Sequence, residues 1–219
     1  MTVTLFTYWR SQAAFRVRIA LALKGLAMEK VTLDLLAGDQ FSADYQKLNP
    51  EGVVPTLIDE GAPFVQSLAI LEYLDEKYPD PPLLPKELHS RAHVRAIAQM
   101  VAMDAHPFIV PRVRKYLEEE LRLDEASRAK WVRHWLDEGS RAVEAVLAED
   151  SRTGRFCAGD QVTIADICLA AHLTSAKLFG GRDPNDYPVA GRIYANCMAI
   201  AEFADEHPLR QPDAPKASS

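Results

Sequence analysis

Cysteine is scarce in this sequence, and nothing in its spacing would put it to use. The three cysteines, Cys157, Cys168 and Cys197, form no CxxC pair and no metal-ligand spacing. An odd, scattered set reads as small buried hydrophobes in a reducing compartment, which points to the cytoplasm. A long hydrophobic run is also missing. No stretch approaches the roughly 18 apolar residues that a membrane span needs. The opening "MTVTLFTYWR" lacks the basic start and apolar centre of a signal peptide. Excess positive charge is absent as well: 25 Lys and Arg against 31 Asp and Glu give a net charge of −6. That argues against nonspecific nucleic-acid binding, which relies on a basic surface, but leaves room for a local basic pocket. No internal repeat or low-complexity block is present. His89 and His93 have an i, i+4 spacing that suits a metal, but no third ligand accompanies them, so no metal site is expected.

What is present is an ordinary globular composition, 48% hydrophobic over 219 residues, enough for one large domain or two small ones. Residues 3–8, "VTLFTY", are β-branched and aromatic and read as a buried strand. "FRVRIALALK" suits a helix, with Gly25 placed to end it. "MEKVTLDL" (28–35) alternates with period two and reads as a second strand. "SADYQKLN" is a short helix stopped by Pro50. "PTLID" and "PFVQ" flank Asp59-Glu60-Gly61 as a hairpin. "SLAILEYLDEKY" (67–78) is a helix with Ser67 as its expected N-cap. The order β-α-β-α-β-β-α gives a small mixed sheet with helices packed on it.

"PDPPLLP" then places four prolines between residues 79 and 86, a stiff linker and a natural boundary. Beyond it, long segments carry helical periodicity and little strand signal. The expected organisation is therefore a first domain over 1–82, a linker over 79–86, an all-α domain over 87–211 and a flexible polar tail over 212–219.

Several local groupings carry chemistry, each beside a plainer reading. Pro55 in "GVVPTL" stands where a strand begins. A cis bond there would leave the Val54 N–H and C=O free for an extended ligand; an edge-strand proline is the alternative. Gln66 and Ser67 sit at a strand-to-helix junction, where free N–H groups and a hydroxyl bind carboxylates, or where Ser67 merely caps. Ser11 lies between a strand and a helix beside Arg10, Arg16 and Arg18. A hydroxyl there can donate to an anion, and for a thiolate that lowers the pKa. His106, with Arg112 and Arg114 further on, could face an acidic substrate or mark a helix kink. "TIAD" (163–166) matches a capping box at the start of a buried helix.

In order, "YWRSQAAFRVRIALALKG", "LNPEGVVPTL", "QSLAILEYLDEKYP", "GDQVTIADICL" and "HPLRQPDAP" resemble the soluble glutathione transferase superfamily. Within it the resemblance is to the zeta class, the maleylacetoacetate and maleylpyruvate isomerases, and it covers nearly the whole chain. It implies an α/β thioredoxin-like N-terminal domain, an all-α C-terminal domain, a homodimer and glutathione as cofactor. By the resemblance, Ser11 stabilises the glutathione thiolate and Arg10 receives a substrate carboxylate. Val54, before a cis Pro55, pairs with the cysteinyl backbone, Gln66 and Ser67 hold the γ-glutamyl end, and Gln40 reaches toward the glycyl carboxylate. His106 faces the cleft, and Arg112 is counted with it on the substrate side.

The implied activity is a glutathione-dependent cis–trans isomerisation in aromatic-acid breakdown. The alternative is a glutathione transferase or dehalogenase acting on small electrophiles such as α-haloacids. A third reading is a noncatalytic binding protein of the same fold. Two departures bear on the choice. The class usually has Ser-Ser-Cys after the arginine, and this chain has Ser11-Gln12-Ala13. The class also carries an arginine just before the phenylalanine of "SAKLF", where this chain has Leu178 beside Lys177.

Overall fold

The computed structural model describes residues 2–216. The chain divides into two compact units. One runs to Pro82 and takes up the chain again from Ile200; the other is Leu83–Ala199.

The first unit contains β1 (Thr2–Thr7), α1 (Gln12–Leu23), β2 (Ala27–Thr32), α2 (Ala43–Leu48), β3 (Thr56–Asp59), β4 (Ala62–Val65) and α3 (Ser67–Lys77). The strands form one sheet in the order β2-β1-β3-β4. β1 runs parallel to β2 through the α1 crossover and antiparallel to β3, and β3 pairs antiparallel with β4. This is the small mixed sheet expected from the order of elements, in the thioredoxin-like arrangement that the family resemblance implied. The β3–β4 turn places Glu60 and Gly61 both at positive φ, 50° and 79°, as a tight hairpin requires. Along β1, Val3, Leu5 and Thr7 are buried in alternation, which commits one face of the sheet to the core.

Helix α1 begins at Gln12, earlier than the apolar run from Phe15, because Ser11 caps it. It ends at Leu23 with Lys24 as its C-cap, and Gly25 follows at φ 63°, a conformation that reverses the chain at little cost to glycine. Neither arginine inside it is surface charge: Arg16 is 1% exposed and Arg18 0%. Arg18 donates from Nη1 to Thr7 Oγ1 (2.9 Å) and from Nη2 to the Glu206 carbonyl (3.3 Å), and its Nε lies 3.5 Å from Glu206 Oε2. Burial lowers its pKa to about 10, with Glu206 and Asp213 opposing, so it stays a cation at neutral pH.

The second unit is helical: α4 (Leu88–Met103), α5 (Pro111–Glu119), α6 (Glu125–Glu149), α7 (Ile164–Leu178) and α8 (Pro188–Met198). α7 is its centre, buried without a break from Ile164 to Ala176. A helix that is apolar all round belongs in a core. Asp166, fully buried, secures its start by accepting the Thr163 N–H and hydroxyl (both 2.8 Å) and the Cys157 N–H (2.7 Å). Burial pushes its carboxyl pKa up, against those donors. Cys157, Cys168 and Cys197 are free and buried, and burial raises the thiol pKa of Cys157 and Cys197. Among the described residues no helix is long and apolar enough to cross a membrane.

The boundary between units falls after Pro82, inside the proline-rich stretch. There Lys24 Nζ donates to the Pro81 carbonyl (2.6 Å) and to Asp75 (2.9 Å). The expected helical domain over 87–211 differs at its end. From Ile200 the chain, with α9 (Ala201–Ala204), clusters with the sheet unit. Apolar and electrostatic contacts hold it there: Phe203 is fully buried, Glu206 pairs with Arg18 and with Lys30 (2.6 Å), and Asp213 Oδ2 accepts the Trp9 N–H (2.8 Å). The tail expected to be flexible from 212 thus includes an anchored Asp213; its residues 217–219 lie outside the described residues.

Candidate active site

The turn after β1 sets up the first part of the site. Ser11 donates its N–H to the Tyr8 carbonyl (3.0 Å) and accepts the Ala14 N–H on its Oγ (3.2 Å). A hydroxyl that accepts from its own helix keeps its proton for another partner, and here that proton sits at the positive end of α1. Arg10 is half-buried, with its guanidinium carbon 5.5 Å from the centre of the Trp9 ring. Gln12 is 4% exposed, and neither its carboxamide nitrogen nor its oxygen has a hydrogen-bond partner among the described residues.

Val54 marks the second part. The Val54–Pro55 bond is cis, Val54 and Pro55 are both buried, and no hydrogen bond among the described residues engages the Val54 N–H or C=O. The loop is held from behind. Tyr45 donates to the Val53 carbonyl (2.6 Å) and meets Thr56 Oγ1 (2.8 Å), while buried Asn49 donates to the same carbonyl (2.8 Å). These bonds fix the segment through residues 53 and 56 and leave the amide groups of Val54 available, as an extended ligand would need.

The third part is the start of α3. Ser67 is not the N-cap. Gln66 takes that place at φ 68°, where a non-glycine backbone is strained, and Ser67 is the first helical residue. No side chain caps this terminus. The amide of Gln66 donates instead to Glu51 (2.6 Å), and Ser67 Oγ accepts from Arg16 Nη1 (3.2 Å). Gln40 is buried beside the loop that follows β2. Its Nε2 donates to the Leu35 carbonyl (3.2 Å), and the buried atom left without a partner is the oxygen.

The carriers of Ser11, Val54 and Ser67 converge. Ala14, on the turn that Ser11 opens, packs in one apolar cluster with Tyr8, Tyr45 and Val54, and Arg16 on the next turn reaches Ser67.

In the helical unit, His106 is half-buried in a 3-10 turn over His106–Phe108, and Arg112 is exposed in the first turn of α5. Arg114, two residues on, is half-buried with its guanidinium carbon 5.0 Å from the centre of the Phe179 ring. Phe179 directly follows Leu178. The cation absent from the chain at 178 is thus present beside its neighbour, delivered by a different helix.

Residues 1–76 match the family described as "Glutathione S-transferase, N-terminal domain". The probable maleylacetoacetate isomerase of Vibrio cholerae is 39% identical over 98% of this chain and 99% of its own length. The maleylacetoacetate isomerase of Methylobacterium extorquens AM1, solved with malonate and glutathione bound, is 47% identical, with a TM-score of 0.94 over 97% of this chain and all of that one. A maleylpyruvate isomerase described as a bacterial zeta-class glutathione transferase is 37% identical, with a TM-score of 0.92 over 97% and 100%. The chain belongs to the zeta class of glutathione transferases.

As a zeta-class glutathione transferase the chain contains positions that reading the sequence passed over. Arg16 was named only as a neighbour of Ser11, Tyr45 and Asn49 had no role, and Arg114 was named only beside Arg112. The signal for Asn49 was available in "LNPEG", since an asparagine ahead of a Pro-containing loop often bonds its own backbone. No local signal could assign Arg16, whose partner lies 51 residues away.

Proposed function

We propose that the protein is a glutathione-dependent cis–trans isomerase acting on a cis enedioate ketone such as maleylpyruvate or maleylacetoacetate. The observation that carries this reading is the Ser11 hydroxyl, held by Ala14 N–H at the start of α1 with its proton free to donate to an anion. The residues present fit glutathione: an unengaged amide pair at Val54 for its cysteinyl backbone, and the uncapped α3 start with Ser67 for its γ-glutamyl end. Bound there, glutathione would supply a nucleophilic thiolate toward the conjugated double bond and would not be consumed.

The work of the chain is electrostatic. Ser11 donates to the sulfur and, with the α1 dipole, favours the thiolate over the thiol. Arg10 is the carboxylate-binding cation read on the sheet unit; His106, Arg112 and Arg114 are, separately, the substrate-side candidates of the helical unit. Guanidinium groups suit this task because they bind carboxylates through two parallel donors and oppose the charge that develops on the ketone oxygen. The reading includes a homodimer resident in the cytoplasm, to be checked by light scattering and fractionation.

The test is conversion of maleylpyruvate and maleylacetoacetate, side by side, with and without glutathione. Turnover of either that requires glutathione supports the proposal, and its absence with both overturns it. Leu178 favours a second reading, transfer to or dehalogenation of α-haloacids. Halide release without isomerisation would establish that one instead.

A further inference from the structure

Arg16 lies on the first half of α1 and is 1% exposed, yet its Nη1 donates across to Ser67 Oγ on α3 at 3.2 Å. A guanidinium has no lone pair to offer, so in this bond the serine oxygen can only accept. The Ser67 hydroxyl proton is thereby turned away from Arg16. Among the described residues no acceptor receives it, although Ser67 is 6% exposed. A buried hydroxyl with a committed oxygen and an uncommitted proton is a donor waiting for a ligand. It stands at the first residue of an 11-residue helix that no side chain caps. A second mark appears one turn earlier on the same stripe of α1. The Gln12 carboxamide is 4% exposed with both polar atoms unpartnered among the described residues.

We infer that Arg16 is a positioning residue for the α-carboxylate of the γ-glutamyl group, acting through Ser67. This rests on the glutathione reading given above and adds a device to it. Arg16 fixes the direction of the Ser67 hydroxyl and polarises it, since a donor whose oxygen already accepts from a cation is a stronger donor. Its charge also adds to the dipole of α3 at a point shielded from solvent, where it is screened less than a surface cation. The cation itself need not touch the ligand.

The experiment measures, by calorimetry on the full chain, the dissociation constants of glutathione and of γ-aminobutyryl-cysteinylglycine, which lacks only the α-carboxylate. The wild type is expected to prefer glutathione. Arg16→Met is expected to shrink that preference about tenfold, the loss of one charge-assisted hydrogen bond. Arg16→Lys should restore part of it, and in a Ser67→Ala background the Arg16→Met change should have little further effect. A purely structural role for Arg16 would weaken both ligands alike, and that result overturns the inference. So does an unchanged preference. Should Arg16→Met fail to fold by circular dichroism, Arg16→Lys decides: a preference reduced below the wild type supports the inference, and an unchanged preference overturns it. Failure of the wild type to bind glutathione at all sinks the functional reading, and this inference with it, and is distinct from binding without carboxylate discrimination.

Discussion

At the scale of single residues, the chemistry depends on what each polar atom has left to give. Ser11 spends its oxygen on Ala14 and keeps its proton; Val54 keeps both amide groups because its neighbours are tied down by Tyr45 and Asn49. Removing the hydroxyl in Ser11→Ala should lower kcat about a hundredfold, the usual loss when one donor to a developing or stabilised anion is deleted. The glutathione dissociation constant should move much less, since Val54 and Ser67 remain. Steady-state kinetics beside calorimetry would separate the two. Arg114→Met addresses the other end of the reaction. It is expected to raise KM for a dicarboxylate substrate about tenfold while leaving glutathione affinity unchanged. An unchanged KM would remove Arg114 from the substrate's surroundings.

Elements rather than residues explain which parts of this structure could be read in advance. β1 was legible from its β-branched and aromatic run, α1 from an apolar run ended by Gly25, the hairpin from Asp59-Glu60-Gly61, and β2 and the helical second unit from the period of their apolar residues, because each of these signals lies within its own stretch. The start of α3 was misjudged by one position. Serine is a common cap, and nothing in "VQSLAI" announces that Gln66 turns to φ 68° and occupies that place. Arg16 and Arg18 stayed ambiguous because their fates depend on Ser67 and Glu206, which belong to other elements.

The start of α4 offers a test at this scale. Glu87 caps it, accepting the N–H of His89 (2.9 Å) and of Ser90 (2.7 Å), and these bonds hold its pKa down at about 2. A carboxylate depressed in the folded state stabilises it fully above the unfolded value of about 4.3 and ceases to do so as pH falls through the folded one. Glu87→Gln should therefore melt below the wild type at pH 7, with the gap closing between pH 4 and 2. A gap that stayed constant across that range would mean the charge on Glu87 contributes nothing.

For the whole molecule, the first unit is built from both ends of the chain. Trp9 and Asp213 are 204 residues apart, and their bond, with those of Arg18 and Lys30 to Glu206, fastens the turn that carries Arg10 and Ser11. A chain ending at residue 199 would lose the Arg18 and Lys30 pairs with Glu206, the Trp9–Asp213 bond and the buried Phe203 side chain, together a loss on the order of 3–5 kcal/mol. Urea denaturation is expected to show the sheet unit of that shortened chain weakened by an amount of this order, with α4–α8 less affected.

The clasp between Trp9 and Asp213 also sets an order of events. On a ribosome the strand and helix that flank Ser11 emerge well before Glu206 and Asp213, whose carboxylates hold the connecting turn; Asp213 follows Trp9 by 204 residues. The sheet can assemble early, yet the serine is not locked in its working position until those carboxylates have emerged. A nascent chain would carry a formed scaffold with a loose reactive corner, and the segment around Asp213 would act as the latch that brings it into service.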